Sequence, residues 1–146
     1  MSPATPEIVL GFDFGLRRVG LAIGDSLTRC ARPLTALAVH RTHGIDESFW
    51  RQLESELRRA GANRLVVGCP YNVDGTEHEM TRRAREFAAE LATRFALPVE
   101  LVDERYSSLE AAEALRARRE TGQRGRIDRA AIDSAAAAVI LERWFS

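Results

Sequence analysis

Ile8-Val9-Leu10-Gly11-Phe12-Asp13-Phe14-Gly15-Leu16-Arg17-Arg18-Val19-Gly20-Leu21-Ala22-Ile23-Gly24-Asp25 is the stretch that decides how the rest of the chain is read. Two apolar, β-favouring runs flank a tight turn at Gly15-Leu16-Arg17-Arg18, the pattern of a β-hairpin. Asp13 lies near the end of the first run in otherwise apolar company. A carboxylate inside a strand is costly to bury unless something cationic offsets it. Two readings stand at this point: a metal ligand at the rim of a sheet, or a turn aspartate satisfied by backbone N–H groups.

Working outward, Ala31-Arg32-Pro33-Leu34-Thr35-Ala36-Leu37-Ala38-Val39 alternates as a third strand, with Pro33 suited to an edge or a strand start. Three strands joined by short turns make an antiparallel meander. From Ile45 to Ala60 the period becomes helical, with Phe49, Leu53 and Leu57 four residues apart and Gly61 as a stop. Asn63 to Cys69 is a short apolar run of the kind buried on both faces, and it leads into a turn-rich loop at Pro70–Thr76. A second amphipathic helix spans Glu77 to Phe95, with Met80, Ala84, Phe87, Ala88, Leu91 and Phe95 on one side. Pro98 to Val102 is a fifth strand that runs directly into Asp103-Glu104-Arg105. Ser107 to Glu110 has the form of a capping box and opens a helix to about Arg118. A basic loop follows at Arg119–Ile127, and a last helix runs from Asp128 to Phe145.

Helices alternating with buried strands imply parallel pairing in the second half. The expected fold is α/β: one domain over residues 1–146, with a five-stranded mixed sheet (antiparallel meander, then parallel strands) and helices on both faces.

Bulk properties bound the function. A chain of 146 residues with 45% hydrophobic and 29% charged residues is an ordinary globular domain. No apolar run is long enough to span a bilayer, and the first seven residues lack a secretory layout, so a cytoplasmic location is expected. Cys30 and Cys69 are expected to be small buried hydrophobes. No pair among His40, His43 and His78 has zinc-ligand spacing. The net charge of +0 argues against non-specific coating of nucleic acid. Every one of the 21 basic residues is arginine, a side chain suited to bidentate phosphate contacts.

Three acidic residues stand at strand ends or at a helix approach: Asp13 at the end of the first strand, Glu104 after the fifth strand, and Asp133 in the last helix. Ile132, Ala136, Val139 and Ile140 define that helix's apolar face, with Asp133 at its edge. Carboxyl ends of parallel strands gather at one rim, where Asp13 and Glu104 can meet and the last helix can add Asp133. Such a cluster is stable when ionised around a hard cation such as Mg²⁺ or Mn²⁺, an arrangement suited to phosphodiester hydrolysis. Singly, each has a plain alternative: a turn residue, a surface pair with a neighbouring arginine, or an exposed helix position.

Four blocks then carry a resemblance: Gly11-Phe12-Asp13-Phe14-Gly15 with Arg17-Arg18-Val19-Gly20-Leu21-Ala22; Val67-Gly68-Cys69-Pro70-Tyr71-Asn72-Val73-Asp74-Gly75-Thr76; Asp103-Glu104-Arg105-Tyr106-Ser107-Ser108; and Ile132-Asp133-Ser134-Ala135-Ala136. Together, and in this order, they resemble the signature blocks of the YqgF/RuvX family, small bacterial proteins with an RNase H-like fold similar to RuvC-type Holliday junction resolvases. The resemblance implies a divalent-metal-dependent nuclease acting in maturation of the 5′ end of pre-16S ribosomal RNA, or a resolvase of four-way DNA junctions. It implies Asp13, Glu104 and Asp133 as catalytic metal ligands. The family usually has lysine at Arg17, leucine-threonine-threonine at Tyr106-Ser107-Ser108 and an apolar residue at Cys69. Beside this rim, Arg17, Arg18 and Arg105 are candidate phosphate contacts, and Arg124 and Arg126 in the basic loop are candidates for tracking a nucleic-acid backbone. Asn72, Asp74 and Thr76 are candidate polar contacts in the cleft. The expected partners are a structured rRNA precursor, a four-way junction or a ribosomal particle, bound by a monomer or a weak homodimer. A reading of another class is a non-catalytic RNA-binding ribosome-assembly module.

Overall fold

A computed structural model of the chain describes residues 6–39, 45–70, 76–103 and 129–146. The expected helix from Ser107 and the basic loop at Arg119–Ile127 lie outside the described residues. Within them the chain forms β1 (Ile8–Phe14), β2 (Arg18–Asp25), β3 (Ala31–Ala38), α1 (Glu47–Ala60), β4 (Arg64–Cys69), α2 (Glu79–Phe95), β5 (Val99–Asp103) and α3 (Arg129–Phe145). The five strands make one sheet in the order β3-β2-β1-β4-β5. β1 pairs antiparallel with β2, and β2 with β3, while β1–β4 and β4–β5 are parallel. This is the mixed sheet expected from the hairpin followed by alternating helices and strands.

Local chemistry sets the element boundaries. Asp46 caps α1 by accepting from the Phe49 N–H at 3.2 Å, and Gly61 ends the helix in the left-handed region at φ 67°. His78 and Thr81 form reciprocal caps at the start of α2. The β2–β3 register shifts between Leu21 and Ala22, whose partners are Thr35 and Pro33. Pro33, which has no N–H to donate, therefore sits in an irregular part of an edge strand. The Asp25 carboxylate closes the β2–β3 turn, accepting from the Leu27 and Thr28 N–H groups at 3.0 and 2.7 Å and from the Thr28 hydroxyl at 2.8 Å. Cys69 is buried as expected, but Cys30 is exposed. Its position is set by that polar turn, which lies outside both apolar clusters.

The two faces of the sheet are built differently. On one, Leu10, Phe12 and Phe14 of β1 meet α1 and α2 in a cluster rich in aromatics. Phe87 is at its centre, with ring centroids 5.8 Å from Phe12, 5.0 Å from Phe14 and 5.8 Å from Trp50. On the other face, Val9, Ala22 and Val66 pack against Ala137, Ile140, Leu141 and Phe145 of α3. Here the sheet offers mostly small residues, so α3 rides close to the backbone. A Cβ placed on Gly11 would lie 2.5 Å from Leu141 Cγ, and one on Gly24 would lie 2.8 Å from the Phe145 ring. On Gly20 it would lie 2.1 Å from the Asp133 carbonyl oxygen.

These contacts widen the expected face of α3. Of that face Ala136 and Ile140 are fully buried and Ile132 and Val139 half-buried, and Ala137, Leu141 and Phe145 join it against the sheet. Asp133 is half-buried, its backbone seated on Gly20 and its side chain 29% exposed, as a residue at the edge of the packed face.

Candidate functional site

Side chains alternate along a strand, so Val9, Gly11 and Asp13 of β1 share the α3 face. Asp13 is the last of that row and is half-buried. Its partner across the hairpin is Gly20. Residues directly opposite in an antiparallel pair project side by side, with Cβ atoms about 5 Å apart. The absent side chain of Gly20 leaves room for the Asp133 backbone. One carboxylate is therefore set by strand register, and the next by a helix seated on the neighbouring glycine. The structure brings Asp13 and Asp133 to the same rim.

The two adjacent arginines of the hairpin part company there. Gly20, Ala22 and Gly24 face α3 along β2, and the same period gives Arg18 that face. The Arg18 Nε–H donates to Asp133 Oδ2 at 2.9 Å, linking residues 115 positions apart. The side chains are 33% and 29% exposed, a half-buried ion pair. Arg17 is exposed at the hairpin tip. Its carbonyl accepts from the Val39 N–H at 2.8 Å, tying the tip to the end of β3. Arg18 was expected as a phosphate contact and is here paired with Asp133, an expected metal ligand.

Glu104, Arg105, Arg124 and Arg126 lie outside the described residues, as do Asn72 and Asp74; Thr76 is described and exposed. Glu104 follows Asp103, the last residue of β5, whose carbonyl accepts from Arg143 Nη1 at 3.2 Å. Among the described residues no three His, Cys, Asp or Glu side chains group closely enough to hold an ion. Asp13 and Asp133 contribute two carboxylates, an all-oxygen donor set that fits a hard divalent cation.

Sequence reasoning missed Gly20 as the seat of Asp133 and missed the Arg18–Asp133 pair. A signal was present. Gly20, Ala22 and Gly24 fall on one face of β2, and Gly11 on the same face of β1, which is the pattern of a sheet surface prepared for a close helix.

The RuvX family model, described as Holliday junction resolvase, matches residues 7–146. A protein of Nitrosococcus oceani named "Putative pre-16S rRNA nuclease" is 41% identical, covering 99% of this chain and 90% of its own length. A protein of the same name from Xanthomonas campestris pv. campestris (strain B100) is 46% identical, covering 94% and 86%. Among solved structures, Thermus thermophilus RuvC in complex with a Holliday junction substrate matches with a TM-score of 0.55 at 20% identity, over 94% of this chain and 93% of that one. The yeast mitochondrial Holliday junction resolvase Ydc2 matches with a TM-score of 0.52 at 13% identity, over 99% and 80%. At these identities the likeness is one of fold, and it is the RNase H-like fold expected from the sequence. With the family model covering the described sheet, both carboxylates and the hairpin between them, the chain belongs to the RuvX family.

Proposed function

We propose that the chain is a divalent-metal-dependent nuclease that hydrolyses phosphodiester bonds in structured RNA, in maturation of the 5′ end of the 16S rRNA precursor. The observation that carries the proposal is the meeting of Asp13 and Asp133 at one rim of the sheet. The names of the relatives support rRNA as the substrate.

A bound Mg²⁺ or Mn²⁺ would supply an activated water and stabilise charge on the leaving oxygen. Asp13, on the central strand, and Asp133, on α3, are the proposed ligands. Glu104 is the proposed third. The resemblance to the family's signature blocks is what supports Glu104, in Asp103-Glu104-Arg105, as that third ligand. Arg17, Arg105, Arg124 and Arg126 are the proposed phosphate contacts, neutralising backbone charge along the bound strand.

A second reading, resolution of four-way DNA junctions, is favoured by the description of the family. Symmetric cleavage of a junction requires two copies related by a twofold axis. One experiment covers both readings. The chain is incubated with a 5′-extended 16S precursor and with a four-way junction, in Mg²⁺, Mn²⁺ or EDTA, and the assay is repeated with Asp13→Asn. Metal-dependent cutting of the precursor, lost in Asp13→Asn, is expected. Equal cutting by the variant sinks the metal site, and cutting of the junction alone moves the function to the second reading.

A further inference from the structure

We infer that Arg18 is a positioning residue: it fixes the Asp133 carboxylate by one oxygen and presents the other to the metal ion. The inference rests on the reading that Asp133 is a metal ligand. It departs from the expectation that both hairpin arginines hold phosphate.

The geometry separates the two arginines. Arg18 opens β2, and its backbone is held by pairing with Ala38. Strand alternation turns it under α3, beside the glycine on which Asp133 sits. Arg17, one residue earlier, lies in the turn before β2 and is exposed. Arg18 reaches Asp133 through Nε alone, at 2.9 Å on Oδ2. Among the described residues Oδ1 takes no hydrogen bond. A single bond of this kind fixes the rotation of the carboxylate and leaves one oxygen for an ion. A guanidinium that clasped both oxygens would block the ion instead.

Outer partners that orient a ligating carboxylate typically account for about 10- to 100-fold in metal affinity. Arg18→Gln should therefore weaken Mn²⁺ binding by about that factor, measured by calorimetric titration of the full chain without nucleic acid. Arg17→Gln should keep the parent Mn²⁺ affinity. Arg18→Lys, which keeps the charge and one donor, should recover part of the loss. Thermal melts followed by circular dichroism establish that each variant is folded at the titration temperature. In a parallel measurement in EDTA, the salt dependence of RNA binding should lose about one unit of slope in Arg17→Gln and none in Arg18→Gln. Parent-like or tighter Mn²⁺ binding by Arg18→Gln overturns the inference, as does a lost unit of salt slope with metal affinity intact, which would return Arg18 to the phosphate. Absence of Mn²⁺ binding by the parent chain, or full binding by Asp133→Asn, overturns the metal-site reading and this inference with it.

Discussion

Gly20→Ala tests the link between backbone packing and the site. The added Cβ would lie 2.1 Å from the Asp133 carbonyl oxygen, 2.3 Å from its carbon and 2.9 Å from the Ser134 nitrogen. All three are backbone atoms of a helix, so no side chain can rotate away. Moving from 2.1 Å to an ordinary contact of 3.4 Å requires α3 to withdraw by about 1.3 Å at this point. Overpacking usually costs about 1–3 kcal/mol, and a clash between rigid backbones belongs at the upper end. The withdrawal also moves Asp133 away from Asp13, and a misplacement of about 1 Å can cost about 100-fold in rate. Gly11→Ala is the control. The nearest atoms to its Cβ are those of the Leu141 side chain, at 2.5 to 3.1 Å, well along the helix from Asp133. Urea denaturation and cleavage of the precursor, both at a temperature where the variants are fully folded, read the two effects separately. The expected pattern is lost stability in both variants and a disproportionate loss of activity in Gly20→Ala. If Gly20→Ala unfolds within about 0.5 kcal/mol of the parent and cuts at the parent rate, the close seating of α3 is not what places Asp133.

Two further outcomes concern stability away from the rim. Phe87 is 2% exposed and central to the aromatic cluster, so Phe87→Ala should cost about 3–5 kcal/mol in chemical denaturation, while Mn²⁺ affinity of the folded protein stays at the parent value because the cluster lies on the opposite face. Asp25 is held below the usual carboxylate range, first by the Thr28 backbone N–H and then by its hydroxyl and the Leu27 N–H. A depressed folded-state value contributes stability above the unfolded-state pKa that is lost as pH falls through the folded value. The melting temperatures of the parent and Asp25→Asn should thus differ most near neutral pH and converge in acid; a constant difference across that range contradicts the assignment.

The sheet was legible because its signals are local. The hairpin, the apolar run at β4 and the four-residue spacing of Phe49, Leu53 and Leu57 each declare an element within a few residues of sequence. The face of α3 was legible only in part: Ala136 and Ile140 belong to it as expected, but Ala137, Leu141 and Phe145 were not read. Ala136, Ala137 and Ala138 are all buried, and a run of alanines has no polar–apolar contrast from which to read a direction. What selects the face is the complementary row of small residues on β1 and β2, far away in sequence. The Arg18–Asp133 pair was hidden for the same reason. Each residue is unremarkable in its own segment, and only strand parity together with the seating of the helix shows that Arg18, and not Arg17, can reach the carboxylate.

The division between the faces explains how one small sheet serves both stability and chemistry. The α1/α2 face fills its space with large rings, where burying each side chain contributes about 1.5–3 kcal/mol. The α3 face uses small residues, which bury less surface but allow backbones to touch. Along α3 the two modes succeed one another. Ile140, Leu141 and Phe145 anchor its C-terminal half by burial. The half that carries Asp133 has Ser134, Ala136 and Ala137 as its buried neighbours, and the Ser134 hydroxyl bonds back to the Ala130 and Ala131 carbonyls at 3.1 and 3.2 Å, so it offers no tie to the sheet. Contact with Gly20 and the Arg18–Asp133 bond are the polar and steric ties described for that half. A half-buried ion pair adds only about 1 kcal/mol or less to overall stability. Its consequence here is positional: the end of α3 with the least hydrophobic anchorage carries the proposed ligand Asp133, and the hairpin arginine ties it down at that carboxylate.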